Sequence, residues 1–269
     1  MTASQEIAAT DSVVRTERHG HVAVVTIDRP DAMNAVNGAV AAGLGEALAE
    51  AEADDQVRVV VVTGVGKAFC AGADLKALAR GESLDAPGHP EWGFAGYVRH
   101  FVSVPTIAAV NGFALGGGSE IVLASDLAVL DPDAKLGLPE VKRGLIAAAG
   151  GIIRLQRQVP MKVALELGLT GDAISAERAV ELGLANRVSQ RGQVLAEAIE
   201  LAERIAANAP VAVRETKKAM HRTAALGSDW DDEAWTVSNR ATGTVLRSAD
   251  FKEGTRAFAE KRRPVWTGR

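Results

Sequence analysis

The sequence predicts an α/β protein, and three observations support this fold class. Apolar, β-branched runs of strand length alternate with helix-length segments through most of the chain. Glycine-rich turns separate the strand ends from the helix starts. From about residue 194 onward, Ala, Glu, Lys and Leu recur at helical spacing and no strand candidate remains. We therefore expect an α/β core that is followed by a helical region.

The first alternation lies near the N-terminus. Residues 22–27 are rich in β-branched side chains and predict a strand, which the Asp-Arg-Pro sequence at 28–30 ends in a turn. A helix is predicted over residues 38–53, where apolar side chains recur at helical spacing. Asn37 directly precedes it and is of a type that caps helix N-termini.

Two further alternations follow. Residues 57–63 form an apolar run interrupted only by an arginine, which is typical of a strand that is covered on both faces. A second strand is predicted over residues 107–110, then a glycine-rich turn over 111–118 and a helix from near Ser119. Residues 127–130 predict another strand, so strands and helices alternate at least three times.

The chain divides into three predicted parts: a flexible N-terminal tail (1–12), a catalytic core (13–207) and a C-terminal helical region (208–269). Residues 81–90, with two prolines and two glycines, predict a loop that we expect near the mouth of a substrate site. The predicted helices after the last strand span residues 194–207, 211–226, 229–247 and 250–263.

Composition excludes several classes of function. The 30 basic and 34 acidic residues give a formal charge of -4, so no basic field is available to hold nucleic acid. No run reaches the ~20 apolar residues that span a bilayer, so we expect no membrane association. A single cysteine, Cys70, allows no intrachain disulfide and suits a reducing compartment, which predicts a cytoplasmic protein. The five histidines lack metal-ligand spacing, so no metal site is predicted.

Two glycine-containing turns, residues 69–75 and 111–120, each follow a strand and open a helix. The first amides of a helix lack intrahelical partners, so such turns favour an anionic oxygen. An isolated glycine turn is more often a close-packing device. A phosphate loop is disfavoured because Gly118 stands where that motif requires lysine. A hydrolase elbow is disfavoured because Ile121 replaces the last glycine around Ser119.

Two glutamates are candidates for acid–base chemistry. Glu120 lies in the first turn of a predicted helix between apolar segments, and Glu140 follows the apolar sequence Leu-Gly-Leu-Pro. An apolar setting raises the pKa of a carboxyl group toward useful values. Taken singly, Glu120 could be a helix-start charge and Glu140 a solvated loop carboxylate. The functional interpretation depends on the presence of both glutamates together.

Four segments together, residues 68–75, 105–120, 138–140 and 169–172, resemble the crotonase superfamily, specifically the enoyl-CoA hydratases. The likeness implies a spiral of ββα turns with a C-terminal helical trimerisation region. It also implies that trimers are commonly paired into hexamers. The expected reaction is the reversible addition of water to a trans-2-enoyl-CoA, which gives a 3-hydroxyacyl-CoA. Coenzyme A belongs to the acyl-CoA thioester substrate, so no separate cofactor is expected.

The resemblance also assigns roles to individual residues. The backbone amides of Ala73 and Gly117 would form the oxyanion hole for the thioester oxygen, and Glu120 and Glu140 would hold one water and divide the acid and base roles. The residues expected to bind CoA are Ala71, Gly72, Asp74, Leu75 and Lys76, together with Phe258 and Lys261 from a neighbouring subunit.

Two alternatives remain open. Residues 92–96 and 260–269 are similar to carnitinyl-CoA dehydratases, which handle crotonobetainyl-CoA. Ala147 and Leu138 depart from the residues that are common in hydratases, so the shape of the acyl pocket is open. A non-catalytic acyl-CoA-binding assembly protein would keep the amide pocket but would need no pair of carboxylates.

Overall fold

The computed structural model of the protein describes residues 12–228 and 230–269. The predicted tail, residues 1–12, lies outside the described residues except for Ser12, and residue 229 also lies outside them. Ten strands and ten α-helices form in the described part of the chain. The strands are β1 (Val14–His19), β2 (Val22–Ile27), β3 (Val59–Gly64), β4 (Ala68–Cys70), β5 (Thr106–Val110), β6 (Phe113–Leu115), β7 (Leu127–Leu130), β8 (Lys135–Gly137), β9 (Ile174–Ser175) and β10 (Arg187–Val188). The helices are α1 (Gly38–Ala53), α2 (Leu75–Ala79), α3 (Gly117–Ala124), α4 (Gly151–Gln158), α5 (Met161–Thr170), α6 (Ala176–Glu181), α7 (Val194–Ala206), α8 (Pro210–Thr223), α9 (Asp232–Arg247) and α10 (Ala249–Ala259).

The strands form two mixed sheets. The larger has the order β1-β2-β3-β5-β7-β10, in which only β1 is antiparallel to its neighbour. The smaller has the order β4-β6-β8-β9, in which β4, β6 and β8 run parallel and β9 is antiparallel. Parallel neighbours require crossover connections, and helices supply them here. The predicted α/β class is confirmed.

The core lies on both faces of the larger sheet. In β3, Val60 and Val62 face the cluster that includes α1, whereas Val59 and Val61 face the cluster that includes α7. This double burial explains why the strand reads as a continuous apolar run. On the α7 side the buried contacts come from small residues at helical spacing, which are Val194, Ala198, Ala202 and Ala206.

Agreement with the sequence prediction varies along the chain. Helix α1 has the predicted bounds, and the Asn37 side chain accepts a hydrogen bond from Val40 N at 3.1 Å, as an N-cap does. Helix α3 begins at Gly117, earlier than the predicted start near Ser119. Strand β1 was missed because only Val14 in it is buried, so it carries no apolar pattern.

The C-terminal helices are followed by a tail, residues 263–269, that folds back against the chain. Asp250 in α10 accepts hydrogen bonds from Thr267 N at 2.8 Å and Gly268 N at 3.2 Å. The indole N–H of Trp266 donates to Ala207 O at 2.8 Å. Within the described residues, none of the helices has the length and apolar character needed to cross a membrane.

Candidate active site

The smaller sheet brings the predicted site residues to one edge. Strands β4, β6 and β8 are parallel neighbours, so their carboxyl ends meet on the same side. The turn that carries Ala73 leaves β4, the turn that carries Gly117 and Glu120 leaves β6, and the segment that carries Glu140 leaves β8. Sheet order thus gathers side chains and amides that are far apart in sequence.

The two glycine turns touch each other. Gly72 has a φ of +93°, and a Cβ atom at this position would lie 2.8 Å from Leu115 O and 3.0 Å from Gly117 N. Only glycine permits this approach without displacement of the backbone. Among the residues that the structure describes, neither the Ala73 N–H nor the Gly117 N–H donates a hydrogen bond. Both amides are therefore available to an acceptor from outside the chain.

The N-terminus of α3 is packed as closely as a backbone allows. A Cβ atom at Gly118 would lie only 1.9 Å from Cys70 O, and one at Gly117 would lie 2.3 Å from the Phe94 ring. The glycines therefore dock the helix start directly onto β4 and beneath an aromatic ring. Close packing and, within the described chain, an unpaired Gly117 amide are two results of the same glycine run.

Ser119 has a structural role in this turn. Its hydroxyl donates to Ala114 O at 2.6 Å and accepts from Gly137 N at 2.9 Å. Both neighbours are strand residues, so the buried hydroxyl joins β6 to β8 beneath the helix. This arrangement agrees with the sequence interpretation of Ser119 as a helix-start residue rather than a nucleophile.

Glu120 is a buried carboxyl group with a raised pKa. Its side chain is 3% exposed, and Oε1 accepts a hydrogen bond from Gly151 N at 2.8 Å. The pKa of Glu120 is raised to about 7, chiefly by burial; the Gly151 amide lowers it, and the negative charge of Glu140 adds to the rise. A group with this pKa can give or accept a proton near neutral pH.

Glu140 lies in a short 3₁₀ turn, Pro139–Arg143, directly after β8. A Cβ atom at Gly116 would lie 3.0 Å from Glu140 Oε1, so the carboxyl group rests against the residue that precedes the Gly117 amide. Its other oxygen, Oε2, is buried and has no hydrogen-bond partner in the described part of the chain. Burial raises the pKa of Glu140 as well. An unsatisfied buried oxygen is a place where a water molecule binds.

The residues expected to bind CoA around α2 occupy different settings. Asp74 caps the helix by accepting from Lys76 N and Ala77 N, both at 3.1 Å, and it pairs with Arg29 at 3.2 Å. The Arg29 guanidinium and the two amides lower the pKa of Asp74. Leu75 and Lys76 are exposed and free to contact a ligand. Asp74 therefore shapes this turn from within, and no sequence pattern indicated its pairing with Arg29.

Phe258 and Lys261 lie at the end of α10 and just beyond it. The Phe258 side chain is 87% exposed, and Lys261 has a φ of +52°. Helix α10 packs against α9 rather than against the two glycine turns. The fold of a single chain therefore presents both residues outward.

The sequence marked Leu138 and Ala147 only as departures within the acyl pocket, and it assigned no role to Phe94 or Arg154. Leu138 and Ala147 flank Gly151, and Phe94 covers Gly117. Arg154, one turn into α4, lies close enough for its charge to lower the pKa of Glu120. The paired glycines 150 and 151 before α4 were the available signal, because they repeat the turn chemistry seen before α3.

Comparisons with known proteins agree with this geometry. The sequence profile of the enoyl-CoA hydratase/isomerase family matches residues 17–269. The chain is 40% identical over 258 residues to a carnitinyl-CoA dehydratase from Salmonella typhi, which covers 94% of this chain and 97% of the relative.

Solved structures give the same result. An enoyl-CoA hydratase from Mycobacterium tuberculosis H37Rv is 44% identical with a TM-score of 0.90, covering 96% of this chain and all of that one. A carnitinyl-CoA hydratase from Mycobacterium avium is 53% identical with a TM-score of 0.78, covering 97% of this chain and all of that one. The expected crotonase-type fold, with mixed sheets and several C-terminal helices, is confirmed. The chain thus belongs to the enoyl-CoA hydratase/isomerase family.

Proposed function

We propose that the protein adds water reversibly to a trans-2-enoyl-CoA and so forms a 3-hydroxyacyl-CoA. The observation that carries this proposal is the pair of glutamates, the buried Glu120 and the half-buried Glu140, whose pKa values are both raised, with the charge of Glu140 acting on Glu120. Beside them lie two free amides, those of Ala73 and Gly117. Membership of this family supports a hydro-lyase, and the pair of carboxyl groups supports hydration in particular.

The two amides bind the thioester oxygen in this mechanism. As the oxygen of water attacks C3, negative charge moves through C2 to the thioester oxygen, and both N–H groups stabilise that charge. Removal of one such donor in other enzymes costs about 3 kcal/mol of transition-state stabilisation. The backbone therefore supplies the electrostatic part of catalysis.

The two glutamates supply the proton transfers. Like charges in a shared buried site do not both ionise readily, so the pair retains one proton more easily than two isolated carboxyl groups would. One carboxylate then takes a proton from the attacking water while the other carboxyl group delivers a proton to C2. The unsatisfied Glu140 Oε2 supports a water position between them.

A second candidate is dehydration of carnitinyl-CoA, and the identities of 40% and 53% to proteins of those names favour it. Its acyl group carries a quaternary ammonium, which proteins commonly bind on an aromatic face. In the 92–96 loop, both faces of Trp92 are covered, by His89 with ring centroids 3.8 Å apart and by His100 at 4.4 Å. This stacking leaves no face of Trp92 open to a quaternary ammonium.

An acyl-CoA-binding assembly protein is disfavoured on energetic grounds. Buried carboxyl groups with raised pKa values destabilise the fold near neutral pH, because the folded state opposes their ionisation. A binding protein would gain stability by replacing Glu120 and Glu140. Their presence is explained by a role in proton transfer.

Assembly and location belong to the same proposal. We infer a homotrimer or a dimer of trimers, because the C-terminal region leaves large apolar side chains uncovered, such as Trp235 at 57% exposed and Phe258 at 87%. Phe258 and Lys261 would then contact CoA on a neighbouring subunit, opposite the 71–76 turn. The cytoplasmic location stays a prediction from cysteine usage.

The test is the loss of enoyl-thioester absorbance with crotonyl-CoA in the wild type, Glu120→Gln and Glu140→Gln. Acid–base groups contribute 10²–10⁴-fold, so each variant should lose at least ~100-fold in turnover while it still binds the CoA ester. Glu50→Gln, an exposed carboxyl group on α1, is the matched control. Equal rates in all four proteins would exclude the hydratase. A panel of crotonyl-, long-chain enoyl- and crotonobetainyl-CoA then ranks the substrates.

A further inference from the structure

Arg154 occupies an unusual place beneath the start of α4. Its side chain is partly buried, and Nη2 donates a hydrogen bond to Val98 O. Gly150 has a φ of +113°, and a Cβ atom there would lie 2.1 Å from Arg154 Nη1. The guanidinium group therefore lies directly against the backbone of the turn that opens α4.

The turn at Gly150 and the segment from residue 94 to Val98 form two walls of the candidate active site. Gly151, the next residue after Gly150, donates its amide to Glu120 Oε1 at 2.8 Å. On the other side, the segment that ends at Val98 begins with Phe94, whose ring covers the Gly117 amide region. Arg154 therefore contacts both the turn whose Gly151 amide binds the Glu120 carboxyl group and the segment whose Phe94 ring lies over Gly117.

The charges around this group are few. Arg154 faces Glu120 of α3 and Tyr97 of the 94–98 segment, and Arg157 lies on its own helix. Glu120 in turn faces Glu140. Burial lowers the pKa of Arg154, whereas Glu120 raises it. The guanidinium group is therefore the nearby positive charge that favours the ionised form of Glu120.

We propose that Arg154 is a positioning residue for the reaction, which holds the Gly150 turn and the Val98 segment together and so keeps the Glu120 carboxyl group aimed at the reacting carbons. This inference rests on the proposed hydratase function. Arg154 acts through Glu120 and through the backbone. It is distinct from the two glutamates because it exchanges no proton with the substrate.

The experiment compares Arg154→Met, Arg154→Lys and Arg157→Met in crotonyl-CoA hydration across pH. A small misplacement of a catalytic group is costly, so Arg154→Met should lower kcat about 10- to 100-fold with little change in KM. The limb of the pH profile that reports Glu120 should move to higher pH, because a positive charge is lost. Arg154→Lys should restore the pH profile and part of kcat. Arg157→Met, on the exposed side of α4, should match the wild type.

A second readout separates this inference from the proposed function. The titration of the Glu120 carboxyl group can be followed by infrared or ¹³C NMR spectroscopy, with Glu120→Gln used to assign the signal. Its pKa should be higher in Arg154→Met than in the wild type even if no enoyl-CoA is turned over. An unchanged titration, or an unchanged kcat and pH profile in Arg154→Met, would overturn the role of Arg154. Absence of crotonyl-CoA turnover in the wild type would overturn only the hydratase function.

Discussion

The sheet core and the C-terminal helices shift the pKa values of their carboxyl groups in opposite directions. In the core, Glu120 is buried beside Glu140, and burial raises its pKa to about 7. In α10, Glu253 accepts hydrogen bonds from Arg256, Arg262 and the amide of Val265, and these partners lower its pKa. The arrangement in the core lowers stability and favours reactivity, whereas the arrangement in α10 favours stability.

The two regions also differ in what they bury. In α3, every residue from Gly117 to Leu123 is buried, whereas no described residue of α9 is. The core is held by apolar contact and backbone approach. The C-terminal helices leave several large apolar side chains exposed, among them Trp235 and Phe258. This contrast leads to three tests.

The largest expected effect on stability comes from replacing one glycine by alanine in each region, which adds a single methyl group. Gly118→Ala would bring a Cβ atom to 1.9 Å from a backbone oxygen, so we expect a loss of about 3 kcal/mol or more in the free energy of unfolding. Gly243→Ala in α9 meets only the flexible end of Arg247 at 3.2 Å and should be neutral or stabilising by up to ~1 kcal/mol. Urea unfolding measures both. Similar losses in the two variants would remove the contrast.

The next test uses Glu120→Gln and the pH dependence of stability. Between the ordinary pKa of 4.5 and about 7, the folded state binds the proton more tightly than the unfolded state, so wild-type stability falls as pH rises through this range. The variant avoids this loss and should be more stable than the wild type above pH 7 by up to about 3 kcal/mol, with no difference below pH 4.5. A variant that is less stable at pH 8, with Glu50→Gln unchanged, would contradict a strained carboxyl group.

The smallest effect is expected for Glu253→Gln, and its sign is opposite. Because its partners lower the pKa of Glu253, its contribution is present above pH 4.5 and is lost as pH falls below that value. At pH 7 the variant should weaken the hold on the start of the tail, and the Val265 amide, which donates to Glu253, should exchange hydrogen several-fold faster. Glu260→Gln, which removes an exposed partner of the same Arg262, should change little. Equal protection from hydrogen exchange in the wild type, Glu253→Gln and Glu260→Gln would mean that the contacts of Glu253 do not hold the tail.

Much of the fold could be predicted where a segment follows one rule. Helix α1 combined an N-cap with apolar residues at helical spacing, and β2 combined β-branched residues with an Asp-Arg-Pro turn at its end. Both glutamates could be proposed because the residues around them are apolar. Such features depend on neighbours in sequence, so they are readable from one chain.

The remaining features depend on neighbours in space. Strands β9 and β10 contain two residues each, too few to show a period of two. The structural roles of Arg29 and Arg154 were invisible, because each acts on a backbone segment that only the fold brings to it. The expected oligomer and the CoA contacts of Phe258 and Lys261 stay predictions, because they require a second chain.

The free amides of Ala73 and Gly117 have a consequence for how such a protein can change over generations. Every residue type except proline carries a backbone N–H, so almost no single substitution deletes this pair of donors outright. The carboxyl groups opposite it are encoded by side chains and can be exchanged one codon at a time. Under the proposed mechanism, new reactions on CoA esters can therefore arise by replacing the acids while the two backbone donors stay in place.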